Sequence, residues 1–122
     1  VLIEDLIAFG PDASPAAVAF AEQMMSETRM DAFTAYLRSM ITTETISDCA
    51  SLTGIDNLVI GAENDLLTPV EHSLGIAGRI PDARLEVIPT AGHMAPLERP
   101  SIVADHLGDL IARAHHAHGT AA

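Results

Sequence analysis

Apolar side chains recur along this chain with two different periods, and the change from one to the other divides it. Leu2, Ile3, Leu6 and Ile7 have helical spacing and meet a stop at Gly10, with Gly10-Pro11-Asp12-Ala13 reading as a turn. Ser14-Pro15 has the form of an N-cap followed by proline at the first helical position, and Val18, Ala21 and Met25 then mark one face of a second helix. Thr28 with Asp31 three places on is a variant capping box for a third helix, whose stripe is Phe33, Leu37, Met40 and Ile41. From Thr42 to Gly54 the pattern lapses into polar and β-branched residues, as expected of a linker with at most a short helical turn.

At Leu58 the period changes. Leu58-Val59-Ile60-Gly61 is a continuous apolar run, the signature of a strand covered on both faces. Thr68-Pro69-Val70-Glu71 reads as a capping box, and Val70, Leu74, Ala77 and Ile80 continue at helical spacing to Pro81. Leu85-Glu86-Val87-Ile88-Pro89 is a second strand. Pro100 opens a last helix carrying Val103, Leu107, Leu110, Ile111 and Ala114. The span from Leu58 to Pro89 is the length of one βαβ unit, which places its two strands parallel.

Two strands do not make a stable open sheet with helices on both faces, so the rest of the sheet has to come from elsewhere. The expected organisation is therefore α/β. Residues 1–45 are helices, 46–57 a linker, 58–114 part of a parallel-sheet core, and 115–122 a frayed tail.

Composition narrows the functions open to such a chain. Six Lys+Arg against seventeen Asp+Glu leave a net charge of −11 over 122 residues. That balance excludes a phosphate-backbone partner, which requires a basic face. The single cysteine, Cys49, excludes an internal disulfide framework and a Cys-based zinc site, and it has no adjacent base to make it a nucleophile. The start, Val1-Leu-Ile-Glu-Asp-Leu-Ile, is too short and too acidic for a signal peptide or a membrane span, so a cytoplasmic location and no membrane partner are expected. The start also lacks an initiator Met, so either it is processed or the chain is expected to be a piece of something longer.

In open α/β sheets, functional groups gather beyond the carboxyl ends of the strands. Two loops occupy that edge here, Gly61-Ala62-Glu63-Asn64-Asp65-Leu66-Leu67-Thr68-Pro69 and Thr90-Ala91-Gly92-His93-Met94-Ala95-Pro96-Leu97-Glu98-Arg99-Pro100. Parallel strands bring both to one side, so Asp65 and His93 can meet across the intervening sequence. Taken singly, Asp65 reads as a turn or capping carboxylate and His93 as a loop histidine. Coupled, they form the half of a hydrolytic triad in which an acid orients an imidazole for general-base work.

At these residues the sequence resembles the α/β-hydrolase superfamily, and in particular its esterase, lipase and lactonase-like members with a helical cap. Leu58–Pro69 is similar to the family's strand followed by G-x-x-D-x-x-T-P. Ile80-Pro81-Asp82-Ala83-Arg84 is similar to its lead-in to the last strand, and Gly92-His93-Met94 with Leu97-Glu98-Arg99-Pro100 to its G-H-x-x-x-x-E-x-P segment. The match covers about residues 55–114; residues 1–45 resemble cap helices more loosely. Asn57 stands where proline is common and Thr90 where glycine is common, which bears on local backbone geometry alone.

The resemblance implies the last two strands and helices of an α/β-hydrolase sheet preceded by cap helices. Asp65 would be the triad acid and His93 the base, with no cofactor and no metal. The nucleophile is missing. None of the seven serines lies in the G-x-S-x-G elbow, and the oxyanion-hole segment belongs to the family's N-terminal half.

A companion chain carrying that half is therefore expected, and the fold is expected to be incomplete without it. The implied activity is serine hydrolysis of carboxylic esters or lactones of small apolar molecules. The expected substrate-binding residues are Leu66, Met94, Met25 and Phe33. Alternatives on the same fold are epoxide, haloalkane or C–C hydrolases, acyltransferases and cofactor-free oxygenases, or a non-catalytic relic. Glu98 is expected to anchor its loop or cap the helix at Pro100. Glu63 and Asn64 are expected to shape theirs, and His72 and His106 to be surface or packing residues; His115, His116 and His118 are expected to belong to the frayed tail, with adventitious metal binding as the alternative.

Overall fold

The computed structural model of the protein describes residues 7–43 and 46–119. The helix expected over residues 1–9 falls mostly outside them; Ile7 and Ala8 are helical. Helix α1 spans Pro15–Glu27, capped by Ser14, whose hydroxyl accepts the Ala17 N–H at 3.1 Å. Thr28 closes α1 instead of opening the next helix, because its hydroxyl donates back to the Met24 carbonyl at 2.8 Å. Helix α2, Met30–Thr42, starts from Arg29 without a side-chain cap, and the Asp31 carboxylate is occupied by the Arg29 guanidinium. The capping box expected at Thr28 and Asp31 does not form. A 3-10 turn, Ile46–Ser51, interrupts the linker.

Strand β1 spans Leu58–Ala62, helix α3 Val70–Ala77, strand β2 Arg84–Ile88, helix α4 Ala95–Glu98 and helix α5 Pro100–Gly119. The strands pair in parallel from Leu58 against Arg84 to Ala62 against Ile88. Strand side chains alternate between faces, and each face here meets a different helix. Gly61 turns toward α3, so closely that a Cβ there would come within 2.9 Å of Ser73 Oγ. Ile60, Ala62 and Ile88 turn the other way, onto Ala91, Ala95 and the α5 residues Ile102 and Val103. The result is a mixed helical and parallel-sheet arrangement, small and three-layered, with its best-buried residues at the carboxyl ends of the strands.

Two helical stripes differ from their periodic reading. On α5 the half-buried positions are Ile102, Val103, His106, Leu110 and Ala114, leaving Leu107 and Ile111 exposed. The helix also continues through Gly119, past the point where a frayed tail was expected to begin at His115. Alanine at 112, 114 and 117 carries the best helical propensity. On α2, Leu37, Met40 and Ile41 are exposed and only Phe33 is half-buried. The extensive packing between described elements lies within the βαβ unit and between α4 and α5, so no described element packs extensively on that stripe. No helix among the described residues is long and apolar enough to cross a membrane.

Candidate active site

The loop after β1 folds around its own carboxylate. Asp65 Oδ1 accepts the N–H groups of Leu67 at 2.9 Å and Thr68 at 2.8 Å, as expected of an aspartate whose side chain satisfies the backbone of its own turn. Oδ2 accepts the Thr68 hydroxyl at 2.7 Å and lies 2.9 Å from His93 Nδ1. The Asp65 side chain is 9% exposed and that of His93 40%, so the acid is shielded while the base remains reachable. Burial works against the charge on Asp65. The Thr68 N–H, the His93 ring and the Thr68 hydroxyl outweigh it and hold the carboxyl below the ordinary aspartate range.

An ionised carboxylate accepts only, so the hydrogen of the neutral imidazole belongs on Nδ1. Nε2 is then left with its lone pair, and no hydrogen bond reaches it from the described residues. This is the tautomer a general base needs. Thr68 was expected to cap α3. Pro69 instead holds the N-cap of that helix, which has no side-chain cap, and the Thr68 hydroxyl serves the pair, 3.3 Å from His93 Nδ1. Its position three residues after Asp65 was the available signal, and the capping-box reading hid it.

The His93 loop is fixed from behind. Glu98, 9% exposed, accepts the Gly92 N–H on Oε1 and the Gly10 N–H on Oε2, both at 2.9 Å. It thereby ties the loop to the segment before α1, and the Met94 N–H adds a bond to the Ala8 carbonyl at 3.0 Å. The backbones touch here: a Cβ on Gly92 would lie 2.5 Å from Gly10 N and from Phe9 C. Thr90 enters the loop at φ 54°, a left-handed conformation that a β-branched residue resists and glycine does not. It is held there by its N–H, which donates to Glu63 Oε2, and by its hydroxyl, which accepts from Arg99 Nη2, each at 2.9 Å. The Asn64 N–H reaches the Ala91 carbonyl at 2.8 Å and joins the two loops directly.

A cleft of about 250 Å³ opens beside the pair, lined among others by Asp65, Thr68 and His93. Ile60, Gly61 and Ala62 form its floor, with Ser73 from α3 and Val103 from α5 on opposite sides. It therefore follows the edge of β1 that β2 leaves free. Leu66, Met94, Met25 and Phe33 do not line it. Leu66 is 64% exposed beside the acid, Met94 half-buried beside the base, and Met25 and Phe33 lie on α1 and α2. Sequence adjacency and helical periodicity place a residue near a site without aiming its side chain.

His72 is exposed on α3, and His106 lies 3.9 Å from Glu86 on β2. No group of three or more His, Cys, Asp or Glu among the described residues could hold a metal ion.

No protein-family model matches the chain. Among solved structures, it is similar to Rv0554 from Mycobacterium tuberculosis, with 29% identity over 60% of this chain and a TM-score of 0.55. It is also similar to a thermophilic esterase, with 30% identity over 60% of this chain and a TM-score of 0.52. The chain spans 26% and 29% of the lengths of those two chains. The likeness supports a hydrolase-like α/β fold.

Proposed function

We propose that this chain supplies the base and the orienting acid of a serine hydrolase, and that the nucleophilic hydroxyl is borne by polypeptide outside these 122 residues. The observation that carries the reading is the 2.9 Å contact between a shielded, fully hydrogen-bonded Asp65 and an accessible His93. His93 Nε2 takes the proton from the serine as its oxygen attacks the carbonyl carbon of a carboxylic ester or lactone. Asp65 stabilises the imidazolium that forms, and the same proton then passes to the departing alkoxide. Water, deprotonated by His93 in its turn, releases the acid and restores the serine.

Three features support a companion chain. The cleft follows the edge of β1 that no described strand pairs, most of the apolar stripe of α2 is exposed, and the chain is a fraction of the length of its structural neighbours. The substrates proposed are esters or lactones of small apolar molecules, since the cleft floor and Val103 are apolar. A buried acid replaced by its amide in such a triad costs about 10⁴ in turnover, because the imidazole is then held in the wrong tautomer.

The test begins with the intact mass of every polypeptide that co-purifies with the chain, followed by labelling with a serine-directed fluorophosphonate. A labelled companion is expected, with hydrolysis of p-nitrophenyl esters abolished by Asp65→Asn and by His93→Ala. Undiminished hydrolysis in both variants, or no labelled polypeptide in an active preparation, overturns the proposal. Labelling blocked in favour of an aspartate adduct would assign the pair to an epoxide or haloalkane hydrolase instead.

A further inference from the structure

Among the described residues, the Thr68 hydroxyl is the one side-chain donor, besides the imidazole, on the oxygen of Asp65 that faces His93. We propose that Thr68 is a positioning residue that fixes the plane of the Asp65 carboxylate and thereby the tautomer of His93, an inference that rests on the catalytic reading of the pair.

The argument is one of remaining freedom. The two backbone N–H groups on Oδ1 hold that oxygen, but the terminal torsion of an aspartate is broad, so Oδ2 is left to swing about it. A donor on Oδ2 removes the swing only if it is itself rigid, and Thr68 is rigid twice over. Its β-branched side chain is stiff at χ1, and Pro69 restricts its backbone to extended conformations.

The hydroxyl donates to Oδ2 at 2.7 Å, and its own oxygen stands 3.3 Å from Nδ1. Oδ2, Oγ1 and Nδ1 thus close a small triangle in which the imidazole hydrogen has an acceptor on either side. From the sequence, Thr68 before Pro69 would cap helix α3; in the structure Pro69 itself holds the N-cap position. Helix α3 is left without a side-chain cap, so the hydroxyl is committed to the pair at the expense of the helix.

The test reads the tautomer and needs no turnover. In the protein as purified, with any companion present, long-range ¹⁵N correlations of the His93 ring report which nitrogen carries the hydrogen, and the bonded Nδ1–H gives a downfield proton resonance. Wild type and Thr68→Ser are expected to show Nδ1–H as the dominant form. Thr68→Val, equal in size and without a hydroxyl, is expected to lose the downfield resonance and to show Nε2–H as the main form. Should Thr68→Val give an undispersed spectrum, Thr68→Ala makes the same comparison.

A hydroxyl-free variant that folds and keeps the Nδ1–H form overturns the proposal, as does Thr68→Ser behaving like Thr68→Val. A tautomer that responds as expected in a preparation that hydrolyses no ester leaves the positioning role standing and removes the hydrolase reading. Ester hydrolysis with an unresponsive tautomer does the reverse.

Discussion

Replacing Glu98 by Gln changes one atom of a side chain that never meets the proposed reaction, yet it is expected to loosen the base. Each Glu98 oxygen accepts one backbone N–H, from Gly92 and from Gly10 at 2.9 Å, in a largely buried setting. The amide of Gln retains one acceptor and turns an NH₂ group toward the other N–H. One charge-assisted bond is lost, a donor is left facing a donor, and the remaining bond is to a neutral oxygen. Hydrogen bonds to charged groups contribute about 1.5–3 kcal/mol and an unsatisfied buried donor costs a similar amount, so a local cost of about 2–3 kcal/mol is expected.

At about 1.4 kcal/mol per factor of ten, that cost corresponds to roughly 30- to 150-fold faster amide exchange by local opening. The assay is residue-resolved hydrogen exchange, with the Gly10 or Gly92 amide expected to respond and the β1–β2 ladder amides to stay within a few-fold of wild type. Glu98→Ala, which leaves both donors bare, should exceed it. Unchanged exchange at both glycines in Glu98→Gln would refute the reasoning, because the clamp would then not depend on the carboxylate.

Gly92→Ala drives a Cβ to 2.5 Å from the backbone at Phe9 and Gly10, which cannot yield as a side chain would. It is expected to cost about 3 kcal/mol, the upper end for overpacking, read as a fall in the unfolding midpoint; a midpoint equal to wild type would contradict the close approach. Acid stability offers a separate check. The Asp65 pKa is depressed by folding, so its contribution is fully present above the ordinary aspartate value of about 3.9 and is lost as the pH falls through the lower folded value. Wild type should therefore lose more stability than Asp65→Asn on acidification below about pH 4, and parallel pH profiles for the two proteins would count against the pairing.

The alternation of periods placed both strands of the βαβ unit to within a residue, while the helix between them ends at Ala77, short of the expected Ile80. Leu58–Ala62 is a short apolar run and Arg84–Ile88 mixes charged and apolar positions, and their strand length and flanking turn residues decide for strand over helix. Parallel pairing then required the two following loops to share an edge, so the meeting of Asp65 with His93 was legible without coordinates. Glu98 was legible as an anchor, but not what it anchors, because Gly10 lies 88 residues away.

Tertiary structure alone decided the rest, for one physical reason. Spacing tells which side chains share a face, while the partner on that face is set by distant segments. Thr68 has the local pattern of a cap and is drawn instead to Asp65 and His93. Thr28 has the same pattern and turns back onto the helix before it. The α2 stripe has the period of a core helix, yet Leu37, Met40 and Ile41 stay exposed. The sequence by itself determined that Asp65 and His93 meet at one edge of the sheet, and packing decided which of their neighbours hold them in place.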